Sequence, residues 1–247
     1  MQRFFSLIVL SVLLLACQHA PKRITSIDEQ MQAIDASLDY IQDTAYLRAL
    51  EPLKAQMQQK LDIKLGYAPE ALTIKQPECT MLNWASDALY DMSYIVRTEP
   101  TADFAVVNIG GMRAEWPAGD ITWRHVYELM PFDNRMVVLT LTGQDVLDLC
   151  QIFAQQGGQG VSKTLRMQIK NKQAQNITIN GKAVVADALY YVVTSDYLST
   201  GADHFTPLTN AIEKVETGIR IRDLYAEYVE RVQIVKAEID GRMQIVE

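Results

Sequence analysis

Residues 104–113 read Phe104-Ala105-Val106-Val107-Asn108-Ile109-Gly110-Gly111-Met112-Arg113. Four apolar residues in a row predict a short buried strand. That strand runs directly into Asn-x-Gly-Gly-x-Arg. Two adjacent glycines at a strand end permit positive φ and let backbone N–H groups approach a ligand closely. Asn108 offers a donor and an acceptor on one side chain. Arg113 offers a planar fork suited to a carboxylate, a phosphate or a diol. The plainer alternative is a glycine turn with a surface arginine.

Outward from this stretch, Met136 to Leu141 and Leu189 to Val193 are further apolar runs of strand length. Arg166 to Ile169 and Ile177 to Ile179 flank the turn-prone Asn171-Lys172 and predict a hairpin. Upstream, Ile63 and Leu65 alternate with polar residues, which predicts a strand ended by Gly66. Leu82 to Val96 places Ala85, Leu89, Met92 and Val96 on one helical face. Thr25 to Gln59 is expected to be helical. Ser26 with Glu29 fits a capping box, Met31, Ile34, Leu38 and Ile41 recur at helical spacing, and Pro52 is expected to open a second helix carrying Leu53, Met57 and Leu61. Other helices are expected to begin near Thr122, Gly143 and Gly218. Strands and helices alternate throughout, so the class is α/β or α+β.

The chain has 247 residues, 49% hydrophobic and 21% charged, with Gly 12 and Pro 8. These values exclude intrinsic disorder and low-complexity chains. The net charge of −7 comes without a basic block, which disfavours nucleic acid and a polybasic membrane footprint as partners. Residues 1–16 have one positive charge, Arg3, followed by an apolar run too short to span a membrane comfortably. Leu14-Leu15-Ala16-Cys17 resembles a bacterial lipobox, in which Cys17 would carry the lipid. The expected organisation is a lipoprotein signal over 1–16, a tether over 17–24, a helical extension over 25–61 and one domain over 62–247. The expected location is the bacterial cell envelope, lipid-anchored at the outer membrane and facing the periplasm. Cys79 and Cys150 could form a disulfide there, or remain as two buried thiols.

Two further loops complete the pattern. Glu128-Leu129-Met130-Pro131-Phe132-Asp133-Asn134 and Asp196-Tyr197-Leu198-Ser199-Thr200-Gly201-Ala202-Asp203-His204-Phe205 each hold a phenylalanine among turn formers. A loop phenylalanine is usually a core plug, but two can clamp a planar ring. With the Asn108–Arg113 motif, these loops resemble the C-terminal, substrate-binding domain of the 5'-nucleotidases and UDP-sugar hydrolases. Gly119-Asp120-Ile121-Thr122 and Leu141-Thr142-Gly143 fall in the same order. Asn83 with Asp87-Ala88, and Arg222-Asp223 with Tyr228, resemble two helices of that domain. The likeness covers roughly residues 60–245.

The resemblance implies a four-layer α-β-β-α fold. It also implies that Phe132 and Phe205 stack on a nucleobase, that Asn108 contacts the base, and that Arg113 contacts ribose or phosphate. Gly110 and Gly111 shape the turn, and Asp203 lies in the second loop. Asn210 stands in for a ribose-binding aspartate. Lys75 stands where the family carries an arginine. Leu82, Ala202 and His204 replace family glycines.

Such proteins cleave phosphate esters in a separate dimetal domain that needs several histidine, aspartate and asparagine ligands. This chain has only His19, His125 and His204. It shows no G-N-H or H-x-H motif, no P-loop and no G-x-S-x-G elbow. No catalytic residue, cofactor or metal is therefore expected in it. The leading expectation is the nucleotide-binding half of a split 5'-nucleotidase, inactive alone and dependent on a separately encoded metallophosphatase subunit. The alternatives are a non-catalytic envelope protein that binds nucleotides or nucleosides, and a degenerate interaction domain.

Overall fold

A computed structural model describes residues 43–95 and 102–246, together with isolated positions between 26 and 37. The expected signal, the lipidation site Cys17, the tether and the first helix lie outside the described residues, apart from those isolated positions. The chain divides into a unit of residues 1–49 and a unit of residues 50–247.

Helix α1 spans Thr44–Leu61. It starts where the Asp43 carboxylate accepts the Tyr46 N–H at 3.0 Å, an N-cap that relieves one orphan donor. Pro52 lies inside this helix, so the helix expected to open at that residue is instead the middle of one continuous element.

Among the described residues, the remaining strands form three sheets, accompanied by four α-helices and short 3-10 turns. Strand β1 (Lys64–Ala68) leads to helix α2 (Thr80–Met92). Strands β2 (Phe104–Val107) and β3 (Gly119–Thr122) precede helix α3 (Trp123–Leu129). Strand β4 (Arg135–Thr142) feeds helix α4 (Gly143–Gln156). Then come β5 (Gly160–Val161), β6 (Leu165–Lys170), β7 (Gln173–Ile179), β8 (Lys182–Ala183) and β9 (Leu189–Ser195). Strand β10 (Glu213–Arg220), helix α5 (Ile221–Val232) and β11 (Met243–Ile245) close the chain.

The central sheet has the order β10-β4-β9-β2-β5, the second β11-β6-β7-β8, and the third pairs β1 with β3. Alternation along the central strands divides the interior in two. Ala105, Val107, Met136, Val138 and Val193 face a core with Trp84, Leu89, Leu224 and Tyr225 of α2 and α5. Phe104, Val106, Val137, Leu139 and Val192 face a second core with Val146, Leu149 and Phe153 of α4 and Leu165, Met167 and Ile179 of the second sheet. Each fully buried large side chain contributes about 1.5–3 kcal/mol. The mixed α/β class is the one expected.

Two further local expectations differ from the structure, and one alternative is decided. Gly66 does not end β1. A Cβ there would lie 2.8 Å from both the Gln233 carbonyl oxygen and Val229, so the glycine admits α5 against the strand. Helix α5 starts at Ile221, and Gly218 belongs to β10, where the register shifts. Cys79 and Cys150 are both free and buried, the second of the two alternatives. Cys79 serves as N-cap of α2, its sulfur accepting the Leu82 N–H at 3.5 Å. Burial pushes the Cys150 thiol up to about 12.

Candidate functional site

Topology puts the three motif loops at one end of the central sheet. Strands β2 and β9 are parallel neighbours, with Phe104 opposite Val192. Their carboxyl ends therefore emerge together, carrying Asn108 and Tyr197. Strand β4 runs antiparallel to β9, with Met136 opposite Ser195, so its beginning, and the Phe132 loop before it, lie at the same end. Carboxyl ends of parallel strands are the usual ligand edge of such sheets.

A cavity of about 380 Å³ opens there, lined by Asn108, Gly110, Gly111, Arg113, Phe132, Asn134, Tyr197 and Asp203. Its size falls within the usual range for small-molecule sites. After β2 the chain makes one tight turn over Ile109–Gly111, closed by the Gly111 N–H donating to the Asn108 carbonyl at 3.1 Å. The Arg113 N–H donates to the Leu129 carbonyl at 2.8 Å, which fastens the far side of the turn to α3. Neither glycine takes positive φ, contrary to one expectation. Gly111 answers instead to close approach: a Cβ would come 2.6 Å from Asn108 Oδ1 and displace that amide.

Asp203 is the polar centre of the cavity. Its carboxylate accepts the Asn108 side-chain N–H in a short contact, and the Tyr197 hydroxyl at 3.1 Å. The bond to Asp203, its negative charge and slight desolvation raise the Tyr197 phenol above its ordinary value. Tyr197 therefore stays a donor at neutral pH. Arg113 is exposed, and the only hydrogen bond of its side chain among the described residues is a long 3.4 Å contact to the Gly110 carbonyl. Its guanidinium remains available to an incoming anion or diol.

Phe132 is 39% exposed and is braced from behind. Arg222 is buried, donates to the Asp133 carboxylate at 2.9 Å and to the Phe132 carbonyl at 3.4 Å, and lies 4.0 Å from the Tyr127 ring centroid. The guanidinium thus fixes the backbone that presents the ring.

Three expected site residues lie elsewhere. Phe205 is fully buried and packs edge-on against Phe153, with ring centroids 5.2 Å apart. It plugs the second core and cannot stack on a ligand, so the second aromatic wall is Tyr197. Asn210 donates to the Asp145 carboxylate at 2.7 Å, at the start of α4 and outside the cavity. Lys75 is exposed and does not line the cavity. Asn108, Gly110, Gly111, Arg113, Phe132 and Asp203 are brought together. Asn134 and Tyr197 were not anticipated.

Two histidines lie among the described residues, both outside the cavity lining. His125 Nδ1 accepts the Thr122 N–H at 3.1 Å and closes the α3 capping box. His204 is exposed, with φ 67°. Among the described residues, no group of three His, Cys, Asp or Glu side chains is placed to hold a metal ion. None of their helices is long and apolar enough to cross a membrane.

The chain belongs to the family of the 5'-nucleotidase C-terminal domain, whose model matches residues 64–210, more than half its length. A 5'-nucleotidase of Vibrio cholerae is 26% identical over 213 residues, covering 85% of this chain and 38% of that protein. The protein UshA of Escherichia coli is 24% identical over 214 residues, with the same coverage. The 5'-nucleotidase precursor of Thermus thermophilus superposes with a TM-score of 0.71 at 25% identity, over 82% of this chain and 42% of that one. The chain therefore spans less than half the length of these relatives.

Proposed function

We propose that the cavity binds a nucleoside or nucleotide, with the base between Phe132 and Tyr197. The observation that carries this reading is the convergence of two exposed aromatic rings, two amides, one carboxylate and one available guanidinium on a single cavity. Aromatic rings suit a planar base, and each stacked base is worth about 1–3 kcal/mol. The Asp203 carboxylate has acceptor capacity for a sugar hydroxyl, and Arg113 can take a diol or a phosphate. Asn108 and Asn134 add amide groups for the base edge.

The chain would be the binding half of a phosphate-ester hydrolase of nucleotide catabolism. The described residues do not fit a dimetal centre, so the metals and their ligands would belong to a separate metallophosphatase subunit. Lipid on Cys17 would hold the pair at the bacterial envelope, at the outer membrane on its periplasmic side. Fatty-acid labelling lost in a Cys17→Ala variant tests the anchor.

The binding claim is tested by calorimetric titration with adenosine, AMP and UDP-glucose. Saturable binding of at least one supports it. Binding of none, by folded protein at millimolar ligand, overturns it. Binding without any metallophosphatase partner in pull-downs would instead favour a stand-alone capture protein.

A further inference from the structure

Two glutamines outside the cavity join its two polar loops. The Ile109 N–H, inside the glycine turn, donates to Gln159 Oε1 at 2.8 Å. Gln159 Nε2 donates to Gln156 Oε1 at 2.6 Å. Gln156 Nε2 donates to the Asp203 carbonyl at 2.8 Å. One hydrogen-bonded chain thus runs from the backbone of the Asn108 turn to the backbone of Asp203.

Its direction is forced. One end is a backbone donor and the other a backbone acceptor, so each amide must accept on one side and donate on the other. Aligned amides of this kind polarise one another. Gln159 is 6% exposed, so water cannot readily replace a missing partner. The end of α4 is built to hold the pair side by side. Gly157 and Gly158 take φ 86° and 121°, and these two left-handed residues turn the chain so that Gln159 returns to Gln156. Gln76 anchors the rear, donating to the Gln156 carbonyl at 2.9 Å and the Gly158 carbonyl at 2.8 Å.

Asp203 needs such a hold. It stands at φ 55°, followed by His204 at 67°, in a region disfavoured for residues with a Cβ. Its side chain must nevertheless meet Asn108 and Tyr197. We propose that Gln156 and Gln159 are positioning residues, a relay that locks the glycine turn and the Asp203 loop in their ligand-ready arrangement before ligand arrives. This rests on the cavity being the ligand site. A site populated in its competent form only part of the time binds more weakly by that fraction.

The test uses Gln156→Met and Gln159→Met, which keep side-chain length and remove the amide. Amide hydrogen exchange is followed by NMR in ligand-free protein, and adenosine affinity by calorimetry. Gln156 does not touch Ile109, so the relay predicts a transmitted effect. In Gln156→Met the Ile109 amide should exchange severalfold faster or more, with core amides of β4 and β9 unchanged, and adenosine affinity should fall about tenfold. Gln159→Met should do the same with a larger effect on Ile109. If Gln159→Met does not fold, the half-buried Gln156 still decides. Unchanged Ile109 exchange in Gln156→Met overturns the relay, as does a uniform rise across all core amides. A wild-type protein that ignores adenosine would sink the ligand reading, while the exchange comparison would still judge the relay.

Discussion

Phe132, Tyr197 and Phe205 are three loop aromatics with different settings. Phe132 and Tyr197 are 39% and 45% exposed on one cavity, whereas Phe205 has no exposed surface. Phe205→Ala should therefore destabilise the fold by about 3–5 kcal/mol, as truncation of a core phenylalanine does. Phe132→Ala and Tyr197→Ala should leave the urea midpoint nearly unchanged and weaken adenosine by about 1–3 kcal/mol each. Denaturation and calorimetry on the three variants check this; equal loss of affinity in Phe205→Ala at unchanged stability would reverse the assignment. The error of placing Phe205 in the clamp has a physical root. In a sequence, a loop phenylalanine looks the same whether it points inward or outward. The available signal is position: Tyr197 lies two residues beyond the carboxyl end of β9, a strand parallel to β2, which runs into Asn108. Parallel pairing is a long-range property that no local pattern shows. The two glutamines carry no sequence signal for a related reason. Polar residues at a helix end read as solvated, and Gln159 becomes buried only through the double-glycine turn before it.

At the scale of elements, the short helix α3 depends on a titratable cap. His125 Nδ1 accepts the Thr122 N–H and so must be unprotonated. Burial lowers its folded value below the ordinary 6.5, with Glu128 opposing and Arg124 assisting. A depressed folded value means that the contribution is complete above about pH 6.5 and is lost as pH falls through the lower folded value. The melting temperature should therefore drop from pH 7.5 to pH 5 by more in the wild type than in His125→Glu, which restores the usual capping-box residue. Parallel pH profiles for the two would contradict this. The loop after β9 offers a second case. His204, which the resemblance sets at a family glycine, adopts φ 67°. His204→Gly should relieve backbone strain of about 1–2 kcal/mol, partly offset by the larger unfolded-state entropy of glycine. A net gain of about 0.5–1 kcal/mol in thermal unfolding is expected. Helix and strand positions were largely legible because their periodicity is local. The continuation of α1 through Pro52 and of β1 through Gly66 was not. In β1, the packing of α5 against Gly66 outweighs the local preference for a break.

For the molecule as a whole, the proposed nucleotide-binding role has to be squared with described residues that hold no cluster of metal-ligating side chains. In the reading proposed above the cavity would orient a nucleotide through two rings and a few polar groups, and its lining holds no histidine, cysteine or serine and a single carboxylate, Asp203. Asp203 raises the Tyr197 phenol above its ordinary value, and its two oxygens each already accept one hydrogen bond, from Asn108 and from Tyr197. Phosphate-ester cleavage is slow without activation of both attacking and leaving oxygens, which a dinuclear metal centre supplies. The purified chain should therefore bind AMP and release no phosphate from it with Mg²⁺, Mn²⁺, Zn²⁺ or Co²⁺. Turnover that follows the protein through purification and disappears in Phe132→Ala would refute the division of labour. Adding a stand-alone metallophosphatase domain should produce hydrolysis that saturates with this chain and falls in Phe132→Ala and Tyr197→Ala. The same variants should leave the metallophosphatase's action on a small aryl phosphate unchanged, because that substrate has no base to clamp. Loss of both activities together would place the effect in subunit contact rather than in the cavity. Loss of the nucleotide reaction alone would locate nucleotide selectivity in this chain.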